Sequence, residues 1–117
     1  GGIKDKDELP WYVYGKNINK NEIYVCQGVD NQLLYTKNIT LDKIHWINDL
    51  KEFKHLDCLV QIRHRHKPVK CIIEFNKGFR VMFDEEIRGV APGQSAVFYK
   101  DNLCLGGGVI EARNNDL

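Results

Sequence analysis

Eight consecutive residues, Arg63-His64-Arg65-His66-Lys67-Pro68-Val69-Lys70, carry four fixed positive charges and two histidines with no acidic side chain among them. On an extended strand, Arg63, Arg65 and Lys67 would project to one face, a basic ridge about 13 Å long by strand rise. Such a ridge suits a phosphate backbone, because guanidinium groups make bidentate contacts to phosphate oxygens. The same charges also suit a solvated strand edge that resists pairing with other chains. The residues alone leave both readings open.

His64 and His66 share a face of a regular strand, and Cys58 and Cys71 lie near them in sequence. A zinc site can be assembled from such donors, but the ligand spacings of fingers and ribbons are missing, so no metal is expected. In Val90-Ala91-Pro92-Gly93-Gln94-Ser95, Pro-Gly marks the centre of a type II turn, since proline presets the first torsion and glycine accepts a positive one. The turn delivers Gln94 and Ser95 ahead of the strand-like Ala96-Val97-Phe98-Tyr99. Gly106-Gly107-Gly108 is followed by Val-Ile-Glu, not the Lys-Ser/Thr and helix of a phosphate loop. Glycines in a strand mark bulges or close backbone approach. No nucleophile elbow, zinc-protease helix or dinucleotide fingerprint occurs, and no catalytic residues are assigned. Asp84-Glu85-Glu86 reads as a solvated turn at a strand end.

The elements that must position these residues are strands. Cys58, Val60 and Ile62 alternate with Leu59, Gln61 and Arg63, and the same alternation recurs through Val69–Phe75 and Phe79–Phe83. Period-2 alternation with breakers at short intervals predicts a small antiparallel barrel or sandwich. Upstream, Trp11–Gly15 and Glu22–Cys26 flank a turn-rich segment and predict a hairpin. Leu33–Thr36 and Ile39–Ile47 read as further strands. A short helix over Leu41–Leu50 competes with the last of these, because Leu41, Ile44 and Ile47 keep helical spacing. Asn48-Asp49 is taken as the boundary, with residues 1–48 forming a small β element after a flexible start and residues 49–117 the barrel.

The chain has 117 residues, 43% of them hydrophobic and 28% charged, the balance of a packed globular protein. A net charge of +1 excludes a polycation, so any affinity for nucleic acid must come from a local patch. No apolar run has the length of a membrane-spanning helix. The four cysteines, at 26, 58, 71 and 104, sit in apolar runs without Cys-x-x-Cys spacing. They are expected to be reduced, structural thiols of a cytoplasmic protein. The Gly-Gly start, with no initiator Met, reads as a piece of a longer chain or a tag remnant.

The stretch from Phe83-Asp84-Glu85 through Val90-Ala91-Pro92-Gly93-Gln94-Ser95-Ala96-Val97-Phe98-Tyr99 to Cys104-Leu105-Gly106-Gly107-Gly108-Val109-Ile110-Glu111 resembles the C-terminus of bacterial and mitochondrial tRNA-specific 2-thiouridylases. Trp11-Tyr12-Val13, Gln27-Gly28-Val29-Asp30-Asn31, Leu33-Leu34-Tyr35 and His45-Trp46 agree in order, so the resemblance runs from Trp11 to Glu111. It implies an all-β fold: the end of a central domain followed by a barrel like those of elongation factors. It also implies a parent enzyme that uses ATP with magnesium to adenylate a wobble uridine and then installs sulfur from a persulfide. The ATP loop and the catalytic cysteines belong to parts of that enzyme outside this chain, so no cofactor is expected here.

In the family the barrel grips the anticodon arm of tRNA through an arginine–aromatic pair and the glutamine of the Pro-Gly-Gln turn. These map onto Arg63, His64 and Gln94, with Arg65 and Lys67 as weaker candidates. Where the family commonly has tyrosine this chain has His64, which offers less apolar area for stacking. The competing reading is a structural or protein-interaction module, supporting the catalytic domain or docking a sulfur donor. It draws on the low net charge and on Trp11, Tyr12 and Tyr14, expected to be exposed.

Overall fold

A computed structural model describes residues 9–47, 54–62, 67–75 and 78–113. Eight strands account for most of them: β1 (Trp11–Asn17), β2 (Glu22–Gln27), β3 (Tyr35–Trp46), β4 (His55–Gln61), β5 (Val69–Phe75), β6 (Phe79–Arg88), β7 (Ser95–Lys100) and β8 (Leu103–Arg113). β1 and β2 form a two-stranded antiparallel sheet, and the other six close into a barrel in the order β3-β6-β5-β4-β7-β8. The all-β class, the barrel and the preceding β element are therefore as expected from the sequence.

The hairpin β1–β2 turns where the polar segment predicts it. Asn21 takes a positive φ of 56°, and the Asn17 side chain accepts a hydrogen bond from the Lys20 amide. After β2, the expected strand at Leu33–Thr36 starts later, at Tyr35, because Gln32–Leu34 makes a single 3-10 turn. Asn31 caps it: its side-chain oxygen accepts from the Leu33 amide at 2.9 Å, a bond that favours the turn over an extended chain.

The largest correction concerns β3. Tyr35–Trp46 lies inside the barrel, paired with β6 on one side and β8 on the other, so the change of sheet falls between β2 and β3 rather than at residue 48. The helical spacing of Leu41 and Ile44 has a local cause. The register against β8 shifts between Asp42 and His45, and Lys43 sits there at φ 49° with its amide bonded to the Asp42 carboxylate. One extra residue in a strand turns a spacing of two into three. A second correction concerns Asp84-Glu85-Glu86, which lies within β6 as an exposed stretch and is not a turn.

Six side chains, Ile39, Val60, Ile73, Val81, Ala96 and Phe98, are wholly shielded and fill the barrel centre, as the narrow bore of a small barrel requires. Toward one end Trp46 packs edge-on against Phe75 and Phe79 and tilted against Phe98, with centroids 5.5 to 6.3 Å away. The three glycines of β8 lie between β3 and β7. A Cβ on Gly107 would stand 2.5 Å from the Ala96 carbonyl oxygen, one on Gly108 2.9 Å from Ile44, and one on Gly106 would collide with the His45 carbonyl. They are close-approach positions.

Candidate nucleic-acid interface

The Pro-Gly turn is tightly tied. Gly93 has φ +92°, the value a type II turn demands at its third position, and the Gln94 amide donates to the Ala91 carbonyl at 3.3 Å. Gly93 N–H donates to Ile110 O and Ile110 N–H donates to Gln94 O, both at 2.8 Å, which clamps the turn against β8. The Gln94 side chain folds back on the same turn. Its Oε1 accepts from the Ala91 amide at 3.1 Å and its Nε2 donates to Gly89 O at 3.4 Å. Gln94 is half-buried and braces the turn.

The strands that flank the basic run meet this turn through the topology. β4 pairs with β7 as far as Gln61↔Val97, and with β5 as far as Val60↔Val69. The chain therefore leaves β4 and enters β5 at the rim where β7 begins, one residue after Gln94. Lys67 and Pro68 precede β5 and belong to no strand, so the expected ridge of strand residues does not extend to Lys67, which is exposed in the connection. Arg63, His64 and Arg65 lie outside the described residues, as does His66. Lys70, on β5 opposite Leu59, is exposed.

The small sheet packs at the same rim. Arg88, at the end of β6, donates from Nε to Val29 O at 2.8 Å, and its guanidinium lies 5.1 Å from the centroid of the Tyr12 ring. Arg113, at the end of β8 and only 1% exposed, donates from Nη2 to Leu33 O at 3.1 Å and sits 6.0 Å from the Tyr14 centroid. Tyr12 and Tyr14 are accordingly half-buried and not exposed as expected, whereas Trp11 keeps 63% of its surface in solvent. The sequence reading missed Arg88 and Arg113, since each stands isolated from the basic run.

Cys58 and Cys71 face each other across β4–β5 with their sulfurs 3.7 Å apart. The bond to Cys58 and then burial push the Cys71 thiol well above the usual range, so it keeps its proton. Cys26, Cys58 and Cys71 are buried free thiols, while Cys104 is exposed, contrary to its placement in an apolar run. Among the described residues no three His, Cys, Asp or Glu side chains converge on a common point, and no helix is long and apolar enough to cross a membrane.

The geometry defines a small closed β-barrel domain with a two-stranded sheet packed at one rim. Residues 36–110 match the family model described as the Aminomethyltransferase beta-barrel domain, and the chain belongs to that family. Over almost its whole length it is also similar to proteins called tRNA-specific 2-thiouridylase MnmA. It is 41% identical to that of Buchnera aphidicola subsp. Baizongia pistaciae over 115 residues, covering 97% of this chain and 31% of the relative. With that of Idiomarina loihiensis it shares 39% identity over 118 residues, 99% of this chain and 32% of the relative. The Pseudomonas aeruginosa protein is 40% identical over 112 residues, 95% and 30% respectively. The chain thus spans about a third of the length of the curated relatives it matches, in their C-terminal part.

Proposed function

We propose that this chain is the tRNA-holding barrel of a tRNA 2-thiouridylase, and that it positions the anticodon arm while chemistry proceeds elsewhere in the enzyme. The observation that carries this reading is the similarity to 2-thiouridylases over 97% of the chain. The convergence of the Gln94 turn with the end of β4 and the start of β5, which flank the basic run in the chain, supports it. In this reading Arg63 and, beside it, Arg65 and Lys67 neutralise backbone phosphates, His64 stacks on or bonds to a nucleotide, and Gln94 offers its amide at the rim. ATP with magnesium, the persulfide sulfur and its donor protein act on the larger cytoplasmic enzyme, and the barrel contributes binding and orientation.

Phosphate-driven binding weakens with salt by a log–log slope of about −0.7 to −0.9 for each phosphate neutralised. Arg63→Ala is expected to lower tRNA affinity and flatten that slope by about one such unit, measured by filter binding or fluorescence anisotropy across a salt series. Unchanged affinity and slope would remove Arg63 from the interface.

A second reading has its own observation. Trp11, Val13, Ile23 and Val25 share one face of the β1–β2 sheet and are 48–67% exposed, while Tyr12, Tyr14 and Tyr24 occupy the other face. A two-stranded sheet is marginal by itself, and such a face suits contact with the remainder of a relative-length enzyme. Under this reading the chain captures that remainder, or a sulfur donor, in a pull-down and retains no tRNA at low salt.

A further inference from the structure

We propose that Cys58 and Cys71 are an oxidation site, at which a hydroperoxide joins the two facing thiols in a reversible disulfide that ties β4 to β5. The proposal stands apart from RNA binding, although the two strands so joined flank the basic run in the chain.

The geometry is already close to that of the bond. Cys58 and Cys71 are directly opposite in the β4–β5 register, and their sulfurs lie 3.7 Å apart. Facing residues of an antiparallel pair hold their Cα atoms about 4.5–5.5 Å apart, inside the span of about 4.4–6.8 Å that disulfides bridge. Turning the two side chains about their Cα–Cβ bonds therefore brings the sulfurs toward the bonded distance of about 2 Å. The other thiols are placed differently: Cys26 lies in the small sheet opposite Tyr12, and Cys104 is exposed opposite Tyr99.

The two thiols are also unequal. The hydrogen bond from Cys71 lowers the Cys58 thiol; burial opposes this, Lys100 adds to the lowering and Asp57 works against it, and the balance lies below the usual range. Cys71 keeps its proton. Cys58 is thus the attacking sulfur, since the thiolate is the nucleophile, and Cys71 the resolving one. Access is narrow but present at a seam. β4 pairs with β7 over Leu59–Gln61, so Cys58, 8% exposed, stands where the two strands part among the described residues. There Lys100 Nζ donates to the Asp57 carbonyl at 3.2 Å.

The chemistry has two steps. The Cys58 thiolate attacks one peroxide oxygen: an S–O bond forms, the O–O bond breaks, and the leaving hydroxide takes up the proton that Cys58 released. The Cys71 sulfur then attacks the sulfenic sulfur: the S–S bond forms, the S–O bond breaks, and the Cys71 proton leaves with the oxygen as water. Two thiols are oxidised by the loss of two hydrogens, and the peroxide is reduced to water. An added dithiol reverses the bond by exchange.

The whole chain is treated with dilute hydrogen peroxide at neutral pH and mapped without reduction. Trypsin releases Cys58 in the peptide 55–63 and Cys71 in the peptide 71–77, and these two are expected to be found linked, with dithiothreitol separating them. Cys104→Ser should leave the link unchanged. In Cys71→Ala, dimedone should trap a sulfenic acid on Cys58; in Cys58→Ala, Cys71 should remain a thiol. The wild-type map decides the matter even where an alanine variant does not fold. The oxidised chain should melt about 5–10 °C above the reduced one, because the bond closes a loop in the unfolded chain. Free Cys58 and Cys71 after Cys104 has been fully oxidised, or a link that forms only in urea, overturns the site. Trapping on Cys71 instead of Cys58 overturns the assigned order, and a melt that does not rise overturns the tie between the strands.

Discussion

Replacing Gln94 separates its bracing of the turn from the proposed contact with RNA, because alanine and glutamate remove different parts of the side chain. In Gln94→Ala the half-buried Ala91 amide loses its 3.1 Å acceptor, and Gly89 O loses a 3.4 Å donor that is near the limit of useful geometry. A neutral hydrogen bond contributes roughly 0.5–1.5 kcal/mol net, and water can partly replace it here, so the loss should be about 1 kcal/mol. For a chain of this size that lowers Tm by about 4 °C. Gln94→Glu keeps an oxygen for Ala91 N–H, so its Tm should lie closer to wild type. It also sets a negative charge at the rim. Beside a bound phosphate that repulsion is about 1–2 kcal/mol at intermediate dielectric, or roughly five- to thirtyfold in Kd. Thermal unfolding by circular dichroism and tRNA binding by anisotropy read the two effects independently. An Ala variant that melts with wild type refutes the bracing role. A Glu variant that binds tRNA as tightly as wild type refutes any phosphate within a Debye length of Gln94, about 8–10 Å.

Two further outcomes test the frame around the site. Gly107→Ala should cost about 2–3 kcal/mol and lower Tm by roughly 10 °C, because its Cβ would press the Ala96 carbonyl at 2.5 Å and force β7 from β8; a melt unchanged within error contradicts that packing. Under native alkylation with iodoacetamide followed by peptide mapping, exposed Cys104 should be modified first and Cys71 last, since Cys71 is buried and holds its proton. Early modification of Cys71 would show the β4–β5 pair to be open.

Strands β4 to β7 were legible because each buries alternate residues: Leu56, Cys58 and Val60; Cys71 and Ile73; Val81 and Phe83; Ala96 and Phe98. Where alternation fails, the reading fails with it. Lys43 inserts one residue into β3 and hides a barrel strand behind helical spacing. Asp84–Glu86 stays extended although three consecutive side chains face solvent, because the register of β6 against β3 slips there. The glycine run was legible in kind, as close approach, but which backbone each glycine meets depends on the closure of β8 between β3 and β7.

The candidate site divides along the same line. Gln94 could be found from its turn, since Pro92-Gly93 fixes the local geometry without help from distant residues. The rim arginines could not, for their partners lie far along the chain: Arg88 is 59 residues from Val29, and Arg113 is 80 residues from Leu33. Only barrel closure brings the ends of β6 and β8 to the turn between β2 and β3, and only then do isolated cations become a local charge. In a chain of net charge +1 such local placement is what counts, because phosphate senses the charges within a Debye length, not the sum over the sequence. The same closure sets the limit on affinity. A rim with few phosphate contacts loses each of them as salt rises, so its binding should be weak and strongly salt-dependent unless a larger enzyme adds contacts to the same tRNA.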